Sequence, residues 1–189
     1  MQGGASTGQE IPLFLKCGVG QMILFEPIRS VFTQLEQYAN TQKNAHIICV
    51  NKALGAEEGE RIIHLSSNDY LSSSLLEPKE HLTQFTHVQF TGKEKITVTK
   101  LDSCNLPETF DFLLLDVQGF ELEVLKGAIK TLQHIRTIYL EYSLRELYAH
   151  QPLLHDIDAF LDTLQFKRIV TGKDHWTCGN ALYRKKGAL

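Results

Sequence analysis

The sequence predicts one α/β domain built on a doubly wound, mostly parallel sheet with an antiparallel C-terminal edge strand. Three observations support this prediction: apolar runs alternate with segments of helical periodicity, a glycine-rich turn opens the chain, and two strand-like segments close it. Parallel strands need crossover connections, which helices normally supply. Because 189 residues, 43% of them hydrophobic, suit one core rather than two, we assign residues 1–189 to a single domain.

The first part of the chain predicts the start of this alternation. A short helix over 10–17 precedes the apolar run QMILFEP at 21–27, which is typical of a strand buried on both faces. Apolar side chains then recur at helical spacing over 28–38, directly after Pro27. The segment AHIICVNKAL at 45–54 predicts the next strand.

Residues 60–94 interrupt the order, because they are mostly polar, rich in serine and without a clear period. We predict at most short strands at RIIHL and HVQF within this segment. Long loops in compact domains often carry function, so we expect 60–94 to form part of a substrate pocket or a lid. The alternative is a mobile surface loop.

The rest of the chain returns to alternating strands and helices and ends in a hairpin. The predicted elements are strands at 95–101, 112–115 and 135–143, a helix after Gly119, a helix over 153–164, and hairpin strands at 166–172 and 180–186.

Composition excludes several classes of protein. A formal charge of −3 and a pI near 6.2 give no general attraction to nucleic acid or to an anionic membrane. No apolar run approaches the roughly 20 residues that span a bilayer, so we expect a cytoplasmic protein. The four cysteines form no CxxC pair and the eight histidines show no metal-ligand spacing. We therefore predict no metal site, although an acidic pair at the strand ends could hold magnesium.

The opening turn and Glu26 together predict a nucleotide-like ligand. Gly3, Gly4 and Gly8 allow close approach of a ligand to the backbone. Glu26 ends the next strand 18 residues after Gly8, where an acidic residue binds ribose hydroxyls in doubly wound sheets. The alternatives are a flexible tail for the turn and a helix-dipole role for Glu26. The turn lacks GxGxxG spacing, which disfavours a nicotinamide-dependent oxidoreductase.

A longer motif points to a family. The run LLLDVQGFELEVLKGA at 113–128 closely resembles the signature of the FkbM family of S-adenosylmethionine-dependent methyltransferases. Other segments follow the family's order, so the resemblance covers almost the whole chain. They are GGASTGQ at 3–9, FEP at 25–27, SSSL at 72–75, TKLD at 99–102, YLEYS at 139–143 and GNALYRK at 179–185.

The resemblance implies a Rossmann-like class I methyltransferase fold and S-adenosylmethionine as the cofactor. It also implies methyl transfer to a hydroxyl oxygen on a small-molecule or glycan acceptor, such as a sugar or a polyketide-like compound. The implied cofactor-binding residues are Gly4, Ala5, Ser6 and Gly8 at the methionine and ribose end, Glu26 at the ribose, and Asn51 and Ser74 at the adenine.

The reaction also needs a general base, because an alcohol must lose its proton. Asp116 and Glu141 both end strands at the edge where ligands bind in open parallel sheets, and Asp116 is our first candidate. Glu121 and His175 rank second. Each has a simpler alternative: Asp116 orients the cofactor, Glu121 complements a helix dipole, Glu141 binds a backbone N–H, and His175 is an exposed turn residue.

One feature departs from the family. Family members have an apolar strand before the glycine turn that ends in an acidic residue, and Gln2 stands at roughly that place here. We therefore expect the first strand to be missing and the sequence to be truncated at its N-terminus. The alternative function is a catalytically silent remnant that packs against a partner.

Overall fold

The structure is a computed structural model and describes residues 1–107, 109–173 and 175–187. The strands are β1 (Gln2–Gly3), β2 (Gln21–Phe25), β3 (His46–Val50), β4 (Ala53–Leu54), β5 (Gly59–Ser66), β6 (Phe90–Thr99), β7 (Phe112–Leu115), β8 (Thr137–Ser143), β9 (Phe166–Lys173) and β10 (Cys178–Lys185). The α-helices are α1 (Ile11–Lys16), α2 (Arg29–Thr41), α3 (His81–Gln84), α4 (Glu121–Lys126) and α5 (Leu154–Thr163). Two 3₁₀ helices span Leu101–Ser103 and Thr131–Gln133.

Seven strands form the main sheet, in the order β3-β2-β1-β7-β8-β10-β9. The predicted α/β class is confirmed, since every described strand pair in this sheet is parallel except the two that β10 makes with β8 and β9. One detail of the prediction was wrong. The antiparallel strand is not at the edge, because β10 pairs with β8 on one side and β9 on the other, and β9 is outermost.

The centre of the sheet also differs from expectation. Gln2–Gly3 forms a two-residue strand between β2 and β7 and runs parallel to both, so the first strand is short rather than missing. Met1 continues this ladder, since its carbonyl oxygen accepts the Leu114 N–H at 2.9 Å. The truncation itself stays a prediction. A cavity of about 300 Å³ lies beside Met1, lined by Met22 and Phe112 among others.

A second sheet of three strands, in the order β4-β6-β5, corrects the prediction for 60–94. Its longest pairing joins the whole of β5 to residues 90–98 of β6. The alternating apolar pattern of a strand could not be recognised in β6, because charged residues, Lys93, Glu94 and Lys95 among them, occupy its middle. The predicted strand at 45–54 also divides, and its two parts belong to different sheets.

The main hydrophobic core fixes the positions of the strand ends at which the candidate functional site lies. Leu113, Leu115, Ile138 and Leu140 are fully buried in the centre of the sheet, between the helices of its two faces. Such apolar strands hold their carboxyl ends at one edge, where ligands bind in open α/β sheets. None of the helices in the described ranges has the length and apolar character needed to cross a membrane.

Candidate functional site

The turn after β1 is tied to the end of β2 by main-chain hydrogen bonds. The N–H groups of Gly4 and Ala5 both donate to the Phe25 carbonyl at 3.0 Å. Gly4 has φ of +74°, and a Cβ there would lie 1.8 Å from the Asp116 carbonyl oxygen. Only glycine fits this position, because it combines the left-handed backbone with a close approach to the next turn.

Glu26 joins the glycine turn to the segment before α2. Its carboxylate accepts the Ser6 N–H at 3.0 Å and the Ile28 N–H at 2.9 Å. Burial raises the pKa of Glu26 to about 7, although these two hydrogen bonds oppose the shift. The structure thus brings the predicted turn and carboxylate together in one crevice, which Gly4, Ser6 and Glu26 all border.

The other predicted cofactor residues lie behind this crevice. Asn51 donates from Nδ2 to the carbonyls of Glu26 and Pro27, both at 2.9 Å, and thereby fixes the turn after β2. Ser74 donates to the Gln118 carbonyl at 2.7 Å. Ala5 is fully buried, and Gly8 lies close to side chains of α1 and α2. The turns chosen from the sequence thus meet at one crevice, but the side chains of Asn51 and Ser74 bond to the backbone around it and do not line it, and their cofactor role stays a prediction.

The crevice is narrow in this structure, with a volume of about 70 Å³. Tyr70 and Leu71 border it from the serine-rich loop that was predicted as a pocket wall or lid. Asp69 and Tyr70 have φ of +53° and +66°, which is costly for residues other than glycine. The loop is thus held over the crevice in a strained conformation.

The turn after β7 places two carboxylates around one amide. Gln118, with φ of +51°, donates from Nε2 to Asp116 Oδ1 at 2.7 Å and to Glu141 Oε2 at 2.9 Å. Its Oε1 accepts the Tyr148 hydroxyl at 3.0 Å. Asp116 directly follows β7, as predicted, whereas Glu141 lies two residues before the end of β8 and not at the end of the strand, and the two carboxylates meet here on neighbouring strands. We call Asp116, Gln118 and Glu141 the junction.

Asp116 borders the crevice, and its pKa is raised above the usual value. The surrounding protein raises the pKa of Asp116, the Gln118 hydrogen bond opposes this, and the Glu10 carboxylate adds to the rise. The Asp116 side chain is exposed at the crevice, so an acceptor hydroxyl can reach it, which a general base requires.

Glu121 has a different position from the one predicted. It is buried, and Oε1 accepts the N–H groups of Val117 at 3.0 Å and Gly119 at 3.2 Å. Burial raises the pKa of Glu121 to about 7. Because the carboxylate points to the backbone of the junction turn, Glu121 shapes that turn rather than contacting a ligand.

A larger cavity of about 330 Å³ lies on the other side of Gln118. Gln118 and Leu71 border both this cavity and the crevice. We call it the acceptor cavity. Its ring-bearing and polar lining residues are His81, Phe85, His87, Tyr148, His175, Asn68, Ser72, Ser143 and Gln151, and Glu141 also lines it.

Two histidines belong to the aromatic wall of the acceptor cavity. His175 Nδ1 lies 3.0 Å from the Thr177 hydroxyl, and its ring is 5.1 Å from that of Phe85. The His81 ring is 4.8 Å from Phe85, and His81 is only 4% exposed. Its Nδ1 is buried without a hydrogen-bond partner among the described residues. His175 is therefore in the predicted region, while His81 was missed.

Gln2 was recognised only as a departure from the family pattern, and the structure gives it a partner. Its Nε2 donates to Glu10 Oε2 at 2.9 Å, while its buried Oε1 has no partner among the described residues. Gln118 is part of the signature motif and was noted only as such. Its contact with two carboxylates could not be foreseen, because Glu141 comes from β8, a different strand. His81 gave no signal in the sequence.

Comparisons with known proteins agree with this geometry. The family model described as the methyltransferase FkbM domain matches residues 2–168. The chain is 31% identical to the 2-O-methyltransferase NoeI of Sinorhizobium fredii, and the match covers 89% of this chain and 74% of that protein.

Solved structures support the fold. The magnesium protoporphyrin IX methyltransferase of Synechocystis with bound S-adenosylmethionine matches with a TM-score of 0.56 and 12% identity, over 98% of this chain and 68% of that one. The same enzyme with bound S-adenosylhomocysteine gives a TM-score of 0.55 and 11% identity, over 98% and 72%. At such identities the likeness concerns the fold alone.

Proposed function

Because this chain belongs to the FkbM family of S-adenosylmethionine-dependent methyltransferases, we propose that it methylates a hydroxyl oxygen of a neutral sugar, free or within a glycan. The enzyme is an O-methyltransferase with S-adenosylmethionine as its methyl donor. The observation that carries the proposal is the junction, where Gln118 borders both the crevice and the acceptor cavity between two carboxylates.

The crevice fits the cofactor in its chemistry. Glu26 uses its oxygens for two backbone N–H bonds, and each oxygen keeps a lone pair that can accept a ribose hydroxyl. Ser6 and Asp116 also border this space and offer polar groups to a ligand beside Glu26. When bound, the cofactor supplies an activated methyl group on a sulfonium sulfur.

Binding requires movement of the loop over the crevice. Ligand pockets usually measure about 300–1,000 Å³, and the crevice has about 70 Å³. Tyr70 and Leu71 also border a neighbouring cavity of about 300 Å³ that includes Ser6. A shift of these two side chains joins the two spaces and admits an adenosyl group.

Asp116 is the proposed general base. It borders the crevice, and Gln118 orients its carboxylate by a hydrogen bond to Oδ1. The remaining oxygen, Oδ2, takes the proton from the acceptor hydroxyl as the oxygen attacks the methyl group. Glu141 and His175 line the acceptor side and hold the acceptor in line with the reacting bond, since positioning supplies much of the rate in such transfers.

The acceptor cavity favours a small neutral ring. Its wall contains the rings of Phe85, Tyr148 and His175, which bury apolar sugar faces, and the amide of Asn68, which binds hydroxyl groups. The curated relative is named as a 2-O-methyltransferase, which supports a ring hydroxyl as the methylated group.

Methyl transfer from labelled S-adenosylmethionine tests the proposal. We expect one added methyl, detected by mass spectrometry, on methyl glycosides of neutral pyranoses and none on uronic acids. Asp116→Asn should abolish transfer while S-adenosylhomocysteine still binds, and Glu36→Gln on the exposed face of α2 should change neither. Transfer only to a hydroxylated macrolactone, or full activity of the Asp116→Asn variant, would contradict the acceptor or the base respectively.

A further inference from the structure

Gln118 makes more contacts than a substrate-lining residue needs. Its amide nitrogen donates one hydrogen bond to Asp116 and one to Glu141, and its amide oxygen accepts from Tyr148. Its main-chain carbonyl accepts from Ser74. Every polar group of the side chain is therefore engaged, and the amide has one permitted orientation, because a flipped amide would set its oxygen against two carboxylates.

The backbone at this position supports the same conclusion. A residue other than glycine at φ of +51° costs free energy, and such strain persists where the surroundings fix the conformation. Glu121 contributes by accepting the N–H groups on either side of Gln118. The turn thus aims the Gln118 side chain between the ends of β7 and β8.

We propose that Gln118 is the positioning residue of the active site: its amide holds the carboxylates of Asp116 and Glu141 side by side through one hydrogen bond to each. The catalytic part of this inference rests on the proposed function. The two hydrogen bonds that join Asp116 and Glu141 through the Gln118 amide, which we call the bridge, can be measured directly. Two carboxylates in contact with one amide repel each other, and the N–H bonds to their charged forms offset that repulsion.

The two carboxylates that the bridge joins face different spaces and have different roles. Asp116 borders the crevice and Glu141 borders the acceptor cavity, so a single amide links the methyl-donor side to the acceptor side. Occupying Asp116 Oδ1 leaves the proton transfer to Oδ2, which sets one geometry for the acceptor hydroxyl. Other titratable groups near the pair are Glu10, Glu121 and Tyr148, with His175 in the same cavity wall.

Carboxyl NMR titration of the full-length protein tests the bridge without a substrate. Selective ¹³C labelling of Asp and Glu gives the pKa values of Asp116 and Glu141. In Gln118→Met, which keeps the length but loses both donors, we expect the mean pKa of the pair to rise by about one unit. In Gln118→Glu, which adds a third carboxyl, the rise should be larger.

Gln151→Met is the matched control for this titration. Gln151 is also buried beside Tyr148, where it accepts the Tyr148 N–H and donates to Ser143, but it contacts neither carboxylate. We expect Gln151→Met to leave the two pKa values unchanged. Equal titration of wild type, Gln118→Met and Gln151→Met would overturn the proposal.

A second variant covers the case in which Gln118→Met does not fold. Tyr148→Phe removes the hydroxyl that lies 3.0 Å from the Gln118 amide oxygen and 2.8 Å from the Ser72 carbonyl, while the ring stays in place. We expect a smaller rise of the same sign, and unchanged values for Tyr148→Phe would count against the bridge.

Once an acceptor is known, the acid limb of the kcat profile should move to higher pH with the carboxyl pKa. Failure of methyl transfer with the NMR shifts present would reject the proposed function and keep the bridge.

Discussion

The crevice and the acceptor cavity share Gln118 but are built in different ways. The crevice consists of turns at the ends of β1, β2 and β7, and its polar groups satisfy one another through the main chain, as with Glu26 and the N–H of Ser6. The acceptor cavity consists of side chains from α3, β8 and the loops around them, and the buried Nδ1 of His81 in its wall has no hydrogen-bond partner in the part of the chain that the structure describes. A cofactor common to a family can be bound by a rigid turn, whereas an acceptor is selected by side chains that can change.

The largest expected effect comes from the glycine turn. Gly4→Ala places a Cβ on the Asp116 carbonyl oxygen, so we expect a loss of at least about 4 kcal/mol in the free energy of unfolding and no binding of S-adenosylhomocysteine. Gly18→Ala is the control, because Gly18 has φ of +79° but no atom near its Cβ position. It should cost only about 1–2 kcal/mol. Urea unfolding measures both, and equal losses would show that contact with β7 is unimportant.

Glu26→Gln tests the carboxylate of the crevice. The amide nitrogen of glutamine would face one of two backbone donors, at Ser6 or Ile28. We expect the affinity for S-adenosylhomocysteine, measured by calorimetry, to fall about 100-fold, since bonds to charged groups contribute about 1.5–3 kcal/mol each. Glu36→Gln should bind normally. Unchanged affinity of the Glu26→Gln variant would remove Glu26 from the cofactor site.

Glu121→Gln tests whether the junction turn depends on pH. The pKa of Glu121 is raised from 4.5 to about 7 in the folded protein, so the native state binds the proton more tightly than the unfolded state. Its contribution to stability is therefore fully present below pH 4.5 and is lost as pH rises to 7. Glutamine does not titrate, so the variant should gain about 2–3 kcal/mol relative to wild type across this window.

Urea unfolding of both proteins at intervals across the titration of Glu121, from its unfolded pKa of 4.5 to its folded pKa of about 7, measures that difference. Glu123→Gln is the control, because Glu123 is partly exposed and pairs with Lys126 on the surface of α4. A constant difference between Glu121→Gln and wild type at every pH would contradict the raised pKa.

The smallest expected effect lies in the acceptor cavity. His81→Phe keeps a ring against Phe85 and Tyr148 but removes the unpartnered nitrogen. We expect equal or greater thermal stability, unchanged binding of S-adenosylhomocysteine, and a rise in the acceptor KM of up to about tenfold. Lower stability with an unchanged KM would give His81 a purely structural role and would weaken the contrast between the two regions.

The fold could be predicted where local pattern decides structure. The apolar strand FLLL at 112–115 and the helix after Pro27 follow from period and turn chemistry alone. β5 and β6 were missed as a pair because charged residues on an exposed face break the apolar pattern. The position of β10 inside the sheet depends on long-range pairing with β8, which local sequence does not encode.

The candidate site also has a part that the sequence could predict and a part that depends on long-range packing. Gly4 and Glu26 could be located from spacing, because their roles depend on adjacent turns at strand ends. Asp116 and Glu141 could be placed on neighbouring strands, but the amide between them could not be foreseen. His81 comes from a segment with no period and reaches the cavity only through packing with Phe85 and Tyr148.

A crystal structure of the protein with S-adenosylhomocysteine tests the central claim most directly. We predict that the ribose lies against Glu26 and that the sulfur faces Gln118, with the acceptor cavity open on the far side of the amide. A complex in which the sulfur points away from Asp116 and Glu141, or in which the nucleoside occupies another cavity, would contradict the account.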